Sequence, residues 1–192
     1  MTFNPYYGYR ALPPGPRTVL FLSQKFEAEP DTNPFDGYNE KRVLDHVIYC
    51  SESIGSDNNC FWTVLVQPAE GQDHNEFNYL TWWSGKTKIE VIKDGAKVPL
   101  DYPDLIVGMT SPILIDAVMA TRPVMSIMPR LKSSAPWCYP LSSALFQVFR
   151  IIDLTDAIKE VMYTTRARAR MHERCLMYQS KQEKEIFFES DE

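Results

Sequence analysis

In DLIVGMTSPILIDAVMATRPVMSIMP, residues 104–129, Gly108, Thr110, Ser111 and Asp116 interrupt an otherwise apolar pattern. A glycine there lets backbone approach a ligand closely, and Ser111 followed by Pro112 reads as a helix cap and a first helical residue. Such a start presents unpaired N–H groups and a partial positive charge, for which a phosphate is the natural guest. Asp116 lies one turn beyond Pro112 on the same side, where a carboxylate could accept hydrogen bonds from a ribose diol. Ser-Pro also begins helices in many α/β proteins, and an aspartate in a short helix can simply face water. The residues alone leave both readings open.

Arg130 is the first choice among cations for neutralising phosphate oxygens, because it follows the strand adjacent to the GMTS helix. Lys25 and Lys132 are further cations near the expected ligand edge, and Lys25 ranks as a weaker candidate together with Gln67, Glu70 and His74 of the loop QPAEGQDHN. His46 falls beside an apolar helical stripe and reads as structural or surface. Trp82 and Trp83 read as a cover for a sheet rather than a stacking platform. Arg166, Arg170 and Arg174 recur every four residues, a spacing that favours a solvated or subunit-docking face.

The elements that must hold these residues alternate. TVLFLS (18–23) is a strand, and EKRVLDHVIYCSESI (40–54) puts Val43, Leu44, Val47, Ile48 and Ile54 on one helical face. FWTVLVQP (61–68) is a buried-type strand, NEFNYLTWWSG (75–85) a short helix, and KIEVIK (88–93) a third strand. DLIVGM (104–109), a helix from Pro112 to about Ala120, and PVMSIMP (123–129) keep the rhythm. ALFQVFRII gives a last strand, and Asp153 caps one long C-terminal helix with Leu154, Ala157, Ile158, Val161 and Met162 facing inward.

Near-continuous apolar strands separated by helices imply a parallel sheet covered on both faces, a Rossmann-like three-layer α/β/α domain. Ligands of such sheets sit beyond the carboxyl ends of the strands, so the loops named above are the ones that matter. The expected organisation is a Pro/Tyr-rich arm at 1–16, one domain at 17–180 and a charged tail at 181–192.

With 192 residues, net charge -5 and 44% hydrophobic residues, the chain has no general attraction to nucleic acid or anionic membrane. Cys50, Cys60, Cys138 and Cys175 are widely spaced and the histidines scattered, so neither a zinc site nor a disulfide scaffold is indicated, and no cofactor is implied. The N-terminus lacks a signal-peptide core and no apolar run is long enough to span a membrane, which points to a reducing cytoplasm.

KIEVIK…VPLDYPDLIVGMTSPILIDAVMATRPVMSIMP resembles the C-terminal, donor-binding half of GT-B glycosyltransferases and their nucleotide-sugar 2-epimerase-like and surface-polysaccharide transferase relatives. Asp104-Leu-Ile-Val-Gly, Thr110-Ser111, Asp116-Ala117 and Thr121-Arg122-Pro123 follow in the order of that pattern. The resemblance implies that Thr110, Ser111 and the helix amides hold a donor diphosphate, Asp116 the ribose, and the 93–103 loop the base edge. It departs at VQPAEGQ, where many relatives carry His-Pro, and at Thr121, which replaces the usual glycine.

By that resemblance the protein is a nucleotide-sugar binding half whose helix start and loop cation stabilise a departing diphosphate during displacement at the anomeric carbon. The acceptor-binding half, and with it the general base, must come from a partner subunit or another segment. A noncatalytic interaction module, homo-oligomerising through the arm and C-terminal helix, is the alternative.

Overall fold

The computed structural model describes residues 12, 15–24, 35, 37–93, 96–131 and 144–189, with side chains through residue 182. Lys25, Lys132 and most of the N-terminal arm lie outside the described residues.

Six strands, β1 (Arg17–Leu22), β2 (Trp62–Gln67), β3 (Lys88–Val91), β4 (Leu105–Gly108), β5 (Val124–Ile127) and β6 (Phe146–Val148), form one sheet in the order β3-β2-β1-β4-β5-β6. Each neighbouring pair is parallel. This is the doubly wound Rossmann arrangement: the chain steps outward from β1 through β2 to β3, returns to β4 on the other side of β1, and steps outward again.

Because side chains alternate across a strand, each strand feeds two cores. Val19 and Phe21, with Val64, Val66, Leu105, Val107, Met125 and Ile127, face helices α1 (Glu40–Asp57) and α3 (Leu154–Tyr163). Leu20 and Leu22, with Leu65, Ile106 and Val124, face α2 (Ile113–Met119) and α4 (Thr165–Glu189). Fully burying a side chain of this size contributes roughly 1.5–3 kcal/mol, so a register slip that exchanged the faces would be costly. The helical positions read from the sequence as apolar faces are the buried ones in both α1 and α3.

The last segments differ from expectation. The strand after residue 144 is only three residues long, and residues Ile151–Asp153 form a 3-10 turn. Asp153 occupies the position before α3, but its side chain makes no cap bond; its carboxylate faces Arg150 at 3.4 Å. The single long C-terminal helix is two helices, broken at Thr164, which is extended at φ -112 and ψ 113. The break lets α3 pack on the α1 face and the middle of α4, at Cys175 and Tyr178, on the α2 face. Arg166, Arg170 and Arg174 are exposed, a solvated stripe, whereas Arg168 between them is buried with Nη1 donating to the carbonyls of Asp104 and Val161. The end of the arm docks on the same helices: Leu12 is buried and its N–H donates to the Met162 carbonyl at 3.2 Å.

Residues 75–85 hold a 3-10 helix, His74–Trp82, rather than an α-helix. Trp83 is half-buried against the core and meets Tyr49 edge-on at 5.2 Å, as a sheet cover should. Trp82 does not share that role; it is 86% exposed.

Candidate functional site

The strand order reverses between β1 and β4, so the crevice of this sheet opens where their carboxyl ends meet. Ser23 and Gln24 leave β1 there, and Met109, Thr110 and Ser111 leave β4. Gln24 Oε1 accepts two hydrogen bonds across the gap, from the Thr110 amide at 2.6 Å and from Thr110 Oγ1 at 2.9 Å. On the other side of β4, Ser126 Oγ of β5 donates to the Met109 carbonyl at 2.6 Å. The turn is therefore held from both flanking strands. Ser23 Oγ, buried at the end of β1, has no hydrogen-bond partner among the described residues.

Gly108 brings the chain's own elements together: a Cβ there would meet Leu22 of β1 at 3.4 Å and Leu114 of α2 at 3.5 Å. Thr110 and Ser111 are both buried. Ser111 caps α2 as its type suggests, Oγ accepting from the Ile113 amide at 3.3 Å and its carbonyl from the Leu114 amide at 3.0 Å. The Ile115 amide donates to the Pro112 carbonyl at 2.9 Å. The expectation of a helix start with free amides is thus corrected: the first turn closes on itself in 3-10 fashion. At seven residues α2 also aligns few peptide dipoles. The polar groups at this edge are the Thr110 donor pair, the Ser23 hydroxyl and Asp116, which is exposed one turn further along α2.

The remaining candidates lie apart. Gln67 ties the end of β2 to the loop before β4, donating from Nε2 to the Ala96 carbonyl at 3.0 Å and accepting from the Val98 amide at 3.3 Å. Glu70 is exposed, and His74 is half-buried at the start of the 3-10 helix.

Arg130 follows β5, the strand that pairs with β4. It is exposed in a left-handed conformation, φ +51, and lines a surface cavity of about 450 Å³ with Tyr38, Arg42, Asp45, His46 and Tyr49. An isolated antiparallel bridge between Phe35 and Leu131 builds this cavity by joining the segment before α1 to the one after β5. Burial pushes the Asp45 carboxyl up from its ordinary range, opposed by the neighbouring His46. Among the described residues, no group of three or more His, Cys, Asp or Glu could hold a metal ion, and no helix is long and apolar enough to cross a membrane.

Nothing in the sequence singles out Gln24, or Arg42, Asp45 and Tyr49 on α1. Gln24 stands just after a strand, but nothing in its type or spacing connects it with Thr110.

Topology and edge together define a doubly wound α/β domain with the fold of one GT-B half. No protein-family model matches the sequence, and a comparison with curated proteins finds no relative. Solved structures do match. The spinosyn rhamnosyltransferase SpnG, complexed with thymidine diphosphate, aligns with a TM-score of 0.53 at 14% identity over 94% of this chain and 45% of its own. MnaA of S. aureus, in a co-structure with UDP, aligns at 0.52 and 11% identity over 88% of this chain and 41% of its own. A trehalose-6-phosphate synthase aligns at 0.51 and 10% identity, over 86% and 42%. The chain spans less than half the length of each of these structures.

Proposed function

We propose that the chain binds a nucleoside diphosphate or nucleotide-sugar at the β1/β4 edge, as the donor-binding half of a glycosyltransferase-like assembly. The observation that carries this reading is the pair of loops at the point of strand reversal, with Gln24 on one side and the Thr110 donors on the other. An entering diphosphate oxygen exchanges for the Gln24 carbonyl on the Thr110 N–H and O–H, and the Asp116 carboxylate accepts from the ribose hydroxyls. The Ser23 hydroxyl is a further buried group that a ligand oxygen would satisfy.

In this reading the edge is one wall of a two-walled cleft. A second segment or subunit supplies the facing wall, the acceptor and the general base. This chain's share of transfer is to orient the donor and to stabilise the departing diphosphate with preorganised donors. The nucleoside diphosphates in the similar rhamnosyltransferase and MnaA structures support the ligand class.

Calorimetry with UDP, thymidine diphosphate, CDP and GDP tests the reading. Binding of at least one is expected, weakened about tenfold or more, or by about 1.4 kcal/mol, in Asp116→Ala. Silence toward all four at millimolar concentration would sink it, and unchanged affinity in Asp116→Ala would move the ribose elsewhere.

A further inference from the structure

The cavity beside α1 has a chemistry of its own. Arg42 and Arg130 reach it from different parts of the chain, and neither has a carboxylate partner among the described residues. Arg42 Nη1 donates to the Gly37 carbonyl at 2.5 Å, which steadies the guanidinium and leaves its other donors available. With Asp45 as the single carboxylate, the described lining is net positive. Tyr49 is 62% exposed while held edge-on by Trp83, so it keeps one ring surface free of the core. Tyr38 rests 6.3 Å from His46, ring to ring, on the same lining.

The backbone that presents Arg130 is strained. A non-glycine residue at φ +51 costs about a kilocalorie per mole or more relative to ordinary conformations, and such residues gather at binding sites where neighbouring structure fixes them. Here the Phe35–Leu131 bridge, one residue away, does the fixing. It places a cation from the end of β5 opposite the residues of α1.

From two guanidiniums without a carboxylate partner among the described residues, a carboxylate and two tyrosines around one cavity, we propose that this is a binding site for a small anionic sugar, a phosphate ester or a uronate. The guanidiniums take the anion in their planar fork geometry, Asp45 accepts from ring hydroxyls, and a tyrosine covers an apolar face of the sugar. The volume lies within the roughly 300–1,000 Å³ range of small-molecule sites. The site does not depend on nucleotide binding at the β1/β4 edge: none of its lining residues belongs to the β4–α2 segment.

Calorimetric titration of the full chain with glucose-6-phosphate, glucuronate, glucose and inorganic phosphate decides the matter. Both anionic sugars are expected to bind at least about tenfold more tightly than glucose or free phosphate. Arg42→Gln and Arg130→Gln should each weaken them by a similar factor, Asp45→Asn should shrink their advantage over inorganic phosphate, and Asp116→Ala should change nothing. All of these side chains border solvent, so unaltered melting temperatures will show that the variants fold. The proposal is overturned by silence toward both anionic sugars, by affinities that the arginine variants leave unchanged, or by equal affinity for inorganic phosphate, which would mark an adventitious ion only.

Discussion

One carbonyl oxygen, Gln24 Oε1, takes both polar hydrogens of Thr110, 86 residues away in sequence, and closes the carboxyl end of the sheet between β1 and β4. Thr110 is almost wholly buried, so without that oxygen its amide and hydroxyl would be left unpaired out of reach of water. The contact satisfies both donors and joins the segment after β1 to the turn after β4.

Gln24→Leu should therefore lower stability by about 1–3 kcal/mol in urea denaturation, the cost of stranding buried donors. Thr110→Val removes only the hydroxyl half of the contact and should cost less, about 0.5–1.5 kcal/mol. If the two variants were equally stable, the pair of hydrogen bonds to Gln24 would not be the principal interaction at this edge.

Thr121→Gly should stabilise the protein. Thr121 has φ +53, and the bonds from the Thr121 amide to the Val118 carbonyl and from the Arg122 amide to the Ala117 carbonyl, both 2.9 Å, form a Schellman ending for α2. That motif favours glycine at the left-handed position, where a β-branched residue is especially strained. A gain of about 1 kcal/mol is expected from thermal or chemical unfolding. A loss on substitution would show that the Thr121 side chain contributes packing that outweighs the strain.

Alkaline pH should unfold the chain partly through Cys175. Burial on the α2 face pushes its thiol from 9.0 up to about 11. The folded state then retains a proton that the unfolded state releases, so the corresponding stability is fully present below pH 9 and is lost as pH rises through 11. The shift corresponds to about 2–3 kcal/mol. Cys175→Ala should flatten the stability–pH profile in that window, whatever it costs in packing at neutral pH. Parallel profiles for the two proteins would reject the assignment.

Much of the fold was legible because its signals are local. Val43, Leu44, Val47 and Ile48 repeat with the helical period, and the apolar runs of β1, β2, β4 and β5 have the unbroken character of strands covered on both faces. Ser111 announced its capping role by type and position. Thr121 was marked by standing where the resembling pattern has glycine, and its left-handed backbone supplies the reason for that glycine. The break at Thr164 gave no such sign: no proline or glycine interrupts MYTTRAR, and the helix divides so that α4 can carry Cys175 and Tyr178 to the face opposite the core of α3.

The site was legible as a region and not as a set of contacts. Gly108, Thr110 and Ser111 do lie at the strand reversal, yet the acceptor for Thr110 comes from the end of β1, and Arg130 lines a cavity with residues of α1. Periodicity and residue type by themselves determined which segments are strands and helices, which of their faces are apolar, and where one helix is capped, since these depend on neighbours within a few residues. The strand order, the partner of each loop and the burial of each polar group were decided only in the tertiary structure. There the crossovers place residues tens of positions apart within a hydrogen bond of each other, and each buried donor must find an acceptor wherever the packed chain supplies one.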